Sequence, residues 1–68
     1  MLVTVNGEQR AVPSRATVAS VLAQLDLLPG ARGVAVAVNG EVVARGQWES
    51  AGLRDGDGVE ILAAVAGG

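Results

Sequence analysis

Two Asn-Gly pairs, at residues 6–7 and 39–40, constrain the fold of this chain more than any other feature. Each pair follows a run of alternating, Val-rich residues that is typical of a β-strand. A type I′ turn needs positive φ at both central residues, so Asn-Gly is the strongest local signal for a two-residue hairpin. The pairs therefore predict one hairpin with strands at 2–6 and 8–12, and a second with strands at 34–38 and 41–44.

A single helix is predicted between the two hairpins. The hydroxyl of Thr17 can accept an orphan backbone N–H, which makes this residue a suitable N-cap. The apolar residues that follow are spaced i, i+3, i+4 and i+7 and form one helical face: Val18, Val21, Leu22 and Leu25. The helix is expected to fail near Leu28, because Pro29-Gly30 cannot continue it.

The remaining segments complete a small α+β fold. Residues 45–53 are irregular and carry Trp48, the only aromatic side chain, as a lid over one end of the core. A Gly-rich turn at 55–58 precedes the last strand, at 59–64. This order predicts a β-grasp (ubiquitin-like) fold, a mixed five-stranded sheet with one main helix on one face and the connectivity β-β-α-β-β-β. The first and last strands pair in parallel at its centre, residues 1–64 form the domain, and 65–68 form a flexible tail.

Composition excludes several classes of function. The 68 residues suffice for one domain, and the absence of Cys and His removes disulfides, zinc sites and thiol chemistry. Lys and Tyr are missing too, so the usual catalytic bases and nucleophiles reduce to carboxylates, Ser and Thr, and the chain is predicted not to be an enzyme. Asp55 and Asp57 are interpreted as turn formers that bond their own backbone, not as metal ligands.

The charge and hydropathy of the chain limit which partners and which cellular compartment are expected. The net charge of −2 and the scattered Arg residues argue against nucleic acid. No apolar run approaches the roughly 20 residues that span a bilayer. The sequence starts directly with a strand pattern and lacks the features of a secretory signal. We therefore expect a cytoplasmic protein that is monomeric when free.

The tail carries the chemistry that the rest of the chain lacks. Gly67 and Gly68 have no side chains, so with the small Ala66 they can thread a narrow channel and bring a carboxylate into a partner's active site. A terminal carboxylate has a pKa of about 3.5 and is ionised and nucleophilic at neutral pH. An adenylating enzyme could let it attack the α-phosphate of ATP, and a sulfur nucleophile could then displace the adenylate. Gly68 is thus the predicted site of modification.

A shallow apolar patch is predicted on the open face of the sheet, where a partner would dock. Its members alternate with core residues along two strands and are small or aliphatic: Leu62, Ala64, Ala35 and Ala37. The small Ala side chains would let a partner approach the sheet closely.

The whole chain resembles the ThiS family, the sulfur carriers of thiamine (thiazole) biosynthesis. The resemblance needs no insertion and rests on the order and spacing of short motifs: Val-Asn-Gly-Glu at 5–8, Thr17-Val18 before the Leu-rich helix, Val-Asn-Gly-Glu-Val-Val at 38–43, Arg-Gly-Gln-Trp at 45–48, Leu-Arg-Asp-Gly-Asp at 53–57 and Ala-Gly-Gly at 66–68. Family members often have Pro before the residue that matches Arg45, and this chain has Ala44. The departure affects a loop and leaves the tail unchanged.

The resemblance implies a set of partners. A ThiF-type adenylyltransferase would activate Gly68 with ATP and Mg²⁺, neither of which is bound by this chain itself. Sulfur mobilised from cysteine by a desulfurase would convert the adenylate to a thiocarboxylate. A ThiG-type thiazole synthase would then accept the sulfur while it builds the thiazole ring.

Three other functions fit parts of the same pattern. A MoaD-like small subunit of molybdopterin synthase also uses a Gly-Gly thiocarboxylate, although those chains are usually longer and richer in Phe, which is absent here. A ubiquitin-like modifier would instead form isopeptide bonds through Gly68. A β-grasp binding module with an inert tail would function equally well without Gly68.

Overall fold

The described residues form a five-stranded sheet and one α-helix. A computed structural model describes residues 1–27 and 33–63. The elements, in chain order, are β1 (Leu2–Val5), β2 (Glu8–Ala11), α1 (Val18–Gln24), β3 (Val34–Val38), β4 (Glu41–Val43), a 3₁₀ turn (Arg45–Gln47) and β5 (Gly58–Ala63). The order β-β-α-β-β-β confirms the sequence prediction.

The sheet has the strand order β2-β1-β5-β3-β4. β1 and β5 are parallel, whereas β1 with β2, β3 with β4 and β3 with β5 are antiparallel. The first and last strands are therefore neighbours, and β5 is the central strand. This mixed sheet with its single described helix confirms the predicted β-grasp fold.

Both predicted hairpins are present. Asn6 and Asn39 have φ of 50° and 51°, and the glycines that follow them have φ of 86° and 83°. Positive φ at both central residues is the type I′ requirement, and Asn and Gly tolerate it best. Strands β1, β2 and β4 each end one residue earlier than predicted, whereas β3 has the predicted bounds. Val12, directly after β2, still exchanges two backbone hydrogen bonds with Met1, at 2.8 and 2.9 Å.

Helix α1 begins as predicted. Thr17 is the N-cap: its hydroxyl accepts from the Ser20 backbone N–H at 3.2 Å, and the Ser20 hydroxyl accepts from the Thr17 N–H at 2.8 Å. This reciprocal pair is a capping box in which Ser replaces the usual Glu or Gln.

The helix ends at Gln24, earlier than the stop predicted near Leu28. Asp26 adopts the left-handed conformation, with φ of 60°. Its N–H donates to Ala23 O at 3.1 Å, and the Leu27 N–H donates to Leu22 O at 2.8 Å. These two bonds form a Schellman motif, which satisfies the last carbonyls without any help from Pro29. Leu28 itself, like Pro29-Gly30, lies outside the described residues.

The core lies between α1 and one face of the sheet. It is entirely aliphatic apart from Trp48, and its buried members are Val3, Val5, Val12, Ala16, Val18, Val21, Leu22, Val36, Trp48, Leu53, Val59 and Ile61. Trp48 is 4% exposed, as expected for a lid, and its indole Nε1–H donates to Val43 O at 2.9 Å. The opposite face of the sheet carries the side chains that alternate with these core residues.

None of the helices in residues 1–27 and 33–63 combines the length and the apolar character needed to cross a lipid bilayer.

Candidate functional site

The central strand β5 leads directly into the segment that the sequence singles out for chemistry. β5 is described through Ala63 and pairs with β3 from Val38↔Val59 to Val34↔Ala63. Ala64, Ala66, Gly67 and Gly68 lie outside the described residues. The prediction that 65–68 form a tail therefore stays a prediction.

The structure brings together three of the four predicted patch residues. Ala35 and Leu62 are direct partners across the β3–β5 ladder, and Ala37 lies two residues farther along β3. They line a shallow depression of about 100 Å³ on the open face of the sheet. Leu62 is 74% exposed although it is a large aliphatic residue. The fourth predicted member, Ala64, is not among the described residues.

Val42 belongs to the same depression and was missed by the sequence prediction. It pairs with Ala37 across the β3–β4 hairpin, and its side chain is 80% exposed. The signal was available, because a two-residue hairpin loop at Asn39-Gly40 fixes the register of the strands that flank it. That register places Val42 opposite Ala37 and on the same face of the sheet. We call Ala35, Ala37, Val42 and Leu62 the open-face patch.

Glu60 marks the border of the open-face patch. It is exposed on β5 between Gly58 and Leu62 and lines the apolar depression at one side. On its other side lies a wider, polar recess over Gly58, flanked by the two hairpin turns. The exposed surface of β5 thus changes along the strand from polar at Gly58, through a carboxylate, to apolar at Leu62.

Both hairpin Asn residues bind β5 through their side-chain amides. Asn6 Oδ1 accepts from the Ile61 N–H at 2.8 Å, and Asn6 Nδ2 donates to Ile61 O at 3.1 Å. Asn39 Oδ1 accepts from the Gly58 N–H at 2.9 Å, and Asn39 Nδ2 donates to Asp57 Oδ1 at 3.0 Å. The two Asn residues therefore hold β5 at its first residue, Gly58, and farther along at Ile61, in addition to forming the turns.

The acidic residues of the turn before β5 have structural partners. Asp57 Oδ2 accepts from the Arg54 N–H at 2.8 Å, which is the local backbone bond predicted for a turn former. Asp55 instead accepts from the Leu2 N–H at 2.8 Å, so it bonds the start of β1 and not its own turn. Strand β1 lies beside this turn only in the folded sheet, which explains why the sequence pattern predicted the wrong partner.

Arg45 stacks on Trp48, with the guanidinium carbon 4.7 Å from the ring centroid. A cation over an indole face at this distance is stabilised by the ring quadrupole. Arg45 therefore covers the outer side of the Trp48 lid, which supports a structural role for this side chain.

The chain matches the model of one protein family over nearly its whole length. The model of the ThiS family matches residues 3–68. A curated protein named thiazole synthase, from Paramagnetospirillum magneticum, is 35% identical over 68 residues, which are 100% of this chain and 20% of that protein. The chain thus spans about a fifth of the length of this curated relative.

Two solved structures have the same fold. The crystal structure of a thiamine biosynthesis protein (ThiS) from Geobacter metallireducens superposes with a TM-score of 0.80 at 36% identity, and the match covers 100% of both chains. A solution structure of a thiamine biosynthesis protein from the same organism gives a TM-score of 0.80 at 36% identity, over 100% of this chain and 88% of the other.

Proposed function

The chain belongs to the ThiS family, and from this premise we propose that it is a sulfur carrier whose Gly68 carries a thiocarboxylate for thiazole formation in thiamine biosynthesis. The observation that supports this proposal most is the full-length match to a structure of a thiamine biosynthesis protein. In this role the chain is a protein cosubstrate on which other enzymes act.

The proposed chemistry takes place on the tail. The Gly68 carboxylate attacks the α-phosphate of ATP, an acyl-adenylate forms and pyrophosphate leaves. The persulfide sulfur of another protein then displaces AMP and forms an acyl disulfide with Gly68. A thiol attacks the partner's sulfur and breaks the S–S bond, which leaves a thiocarboxylate on Gly68 and a disulfide on the partner. An adenylyltransferase of the ThiF type would supply the ATP and Mg²⁺ site, and a cysteine desulfurase would mobilise the sulfur. The chain has no Cys, so the persulfide must be on a partner.

We assign docking of the activating enzyme to the open-face patch. Leu62 of the patch lies on β5, one residue before the last described residue of the strand that leads to the tail. A partner seated on this patch would therefore contact the same strand whose continuation it must thread. Leu62 and Val42 supply exposed apolar area, and Ala35 and Ala37 leave room for the partner's own side chains.

Thiazole synthase is the proposed acceptor of the sulfur. The relative named thiazole synthase contains a segment similar to this whole chain within a protein about five times as long. Joining a carrier covalently to the enzyme that uses its sulfur would raise the effective concentration of the carrier at that enzyme. This arrangement in a relative supports thiazole synthase as the enzyme that accepts sulfur from this chain.

Intact-protein mass spectrometry tests the proposal. The protein is incubated with ATP, Mg²⁺, a ThiF-type adenylyltransferase and a cysteine desulfurase with cysteine. We expect a mass increase equal to the replacement of one oxygen by sulfur. Deletion of Gly68 should abolish the increase, while Gln24→Ala, a change at an exposed position of α1 away from the tail and from the open-face patch, should retain it. Addition of a ThiG-type synthase and its other substrates should discharge the thiocarboxylate.

Three results would contradict the proposal. An unchanged mass with adenylyltransferases of both the thiamine and the molybdopterin pathway would leave a binding module as the better account. Discharge only by molybdopterin synthase would assign the chain to that pathway. Isopeptide adducts on other proteins would indicate a modifier. The proposal also requires a free carboxylate on Gly68, which the mass of the protein purified from its natural source measures directly.

A further inference from the structure

Strand β5 extends beyond the end of its parallel neighbour. β1 pairs with β5 at Thr4↔Gly58 and Val5↔Val59 only, and the chain then turns away at Asn6-Gly7. β5 continues to Ala63 with β3 on its other side. From residue 60 onward, no strand lies on the β1 side of β5 among the described residues. The backbone groups of β5 on that side thus need another partner.

The Asn6 side chain supplies that partner for one residue. The backbone N–H of Asn6 donates to Val59 O at 2.9 Å, which continues the hydrogen-bond pattern of the parallel β1–β5 pair. Its side-chain amide then accepts from the Ile61 N–H at 2.8 Å and donates to Ile61 O at 3.1 Å. A carboxamide carries the same donor and acceptor as a peptide group. The side chain therefore replaces the peptide group of a strand that is absent.

We propose that Asn6 is a positioning residue that sets where the reactive tail begins. With Asn6 in place, β5 has hydrogen-bond partners on both sides as far as Ile61, and beyond Ile61 its described residues are paired only with β3. The number of residues between this last point and Gly68 determines how much freedom a partner must remove when it threads the tail. The inference rests on the proposed carrier function, because the start of the tail affects loading only if the terminal carboxylate must enter a partner's active site.

Asn39 provides a matched control. It lies in the other Asn-Gly turn with φ of 51°, against 50° for Asn6, and its amide also makes two hydrogen bonds at β5. Those bonds hold Asp57 and Gly58, at the opposite end of the strand. Glycine tolerates positive φ, so Asn6→Gly and Asn39→Gly each keep the turn and remove one amide. Both variants share any effect that comes from the turn geometry or from the loss of two side-chain hydrogen bonds. They differ only in whether the lost bonds hold β5 near the tail.

Amide hydrogen exchange on the free, full-length protein is the primary measurement. In Asn6→Gly the Ile61 amide should exchange at least about tenfold faster relative to the β3 amides, because its acceptor is lost while β3 keeps its own partners. The backbone order parameter of Ala63, beyond the lost contact, should fall from the rigid value of about 0.85 toward about 0.6. Asn39→Gly should leave both observables at Ile61–Ala63 unchanged. Asn6→Asp keeps the acceptor oxygen and should restore most of the Ile61 protection.

Steady-state loading by the activating enzyme is the second measurement. A looser tail places the carboxylate less often in the reactive geometry, so kcat of Asn6→Gly should fall by about threefold or more. The open-face patch keeps its β3–β5 pairing, so KM should stay within about twofold. A residue that serves stability alone would not change kcat separately from KM, and Asn39→Gly should leave both constants unchanged.

The outcomes separate this inference from the carrier function. Equal changes at Ile61 in both glycine variants, or no change in Asn6→Gly, would overturn the inference. Loading of Asn6→Gly at the wild-type rate would overturn its positioning part, even if exchange at Ile61 were faster. Absence of loading in the wild-type protein would refute the carrier function, and the exchange and order-parameter measurements would still decide whether Asn6 sets the end of β5.

Discussion

At the scale of single residues, Trp48 shows how one side chain closes a core made of small aliphatic groups. It is the only aromatic residue of the chain and is 4% exposed. The indole Nε1–H is bonded to Val43 O, so its one polar atom is satisfied inside the fold. Arg45 stacks on the outer side of the ring. Trp48 therefore joins the loop after β4 to the sheet by both packing and a hydrogen bond.

The substitution Trp48→Phe should lower the free energy of unfolding by about 2 kcal/mol. The smaller ring leaves a cavity, and the Val43 carbonyl loses its donor. Urea denaturation followed by circular dichroism measures this change. Arg45→Gln serves as the control for the stacked cation and should cost less than about 1 kcal/mol. A loss as small for Trp48→Phe as for Arg45→Gln would mean that the indole is not important for closing the core.

At the scale of elements, the end of helix α1 is where a single substitution should stabilise the fold most clearly. Asp26 occupies the C′ position of the Schellman motif with φ of 60°. A residue with Cβ pays for the left-handed conformation, and a carboxylate near a helix C-terminus faces the negative end of the helix dipole. Asp26 is exposed, so replacing it can remove both unfavourable effects without disturbing the core.

The substitution Asp26→Gly should raise the free energy of unfolding by about 0.5–1 kcal/mol, since it removes both unfavourable effects. Asp26→Asn removes the charge but keeps the Cβ, and it should give a smaller gain of about 0.3 kcal/mol. Thermal unfolding of the three proteins in the same buffer measures the order. A loss of stability in Asp26→Gly would show that the Asp side chain contributes a favourable interaction at this helix end.

At the scale of the whole molecule, the fold separates the stabilising core from the proposed docking surface. The core lies between α1 and one face of the sheet, and the open-face patch lies on the other face of the same strands. Ile61 is buried while its neighbour Leu62 is 74% exposed, because successive side chains of a strand point to opposite faces. Changes in the open-face patch should therefore alter the proposed partner binding without unfolding the protein.

The substitution Leu62→Arg should weaken binding of the activating enzyme at least about tenfold, because it places a charge at the centre of a small apolar contact. Its free energy of unfolding should stay within about 0.5 kcal/mol of the wild-type value. Isothermal titration calorimetry and urea denaturation measure the two quantities. Gln9→Arg adds the same charge to an exposed position of β2 and should leave the affinity unchanged. Unchanged affinity in Leu62→Arg would exclude the open-face patch as the docking site.

The features that local sequence predicted correctly depend on short-range geometry. The Asn-Gly turns, the Thr17 N-cap and the alternation of β3 each involve residues within four positions of one another. Turn chemistry and side-chain periodicity act over that range, so the sequence alone predicts these features. The Schellman motif at Asp26 is also local, but Asp has no strong preference that would reveal it.

The features that only the tertiary structure decided are contacts between distant parts of the chain. The bonds from Asn6 to Ile61 and from Leu2 to Asp55 each join residues more than 50 positions apart. Asn6 was predicted as a turn residue and Asp55 as a local turn former, and nothing in their neighbours indicates a second partner. These bonds exist because β5 lies beside β1 in the sheet and extends beyond the end of β1. The composition of the chain thus specifies which residues can form such bonds, and the pairing of its first and last strands determines which bonds form.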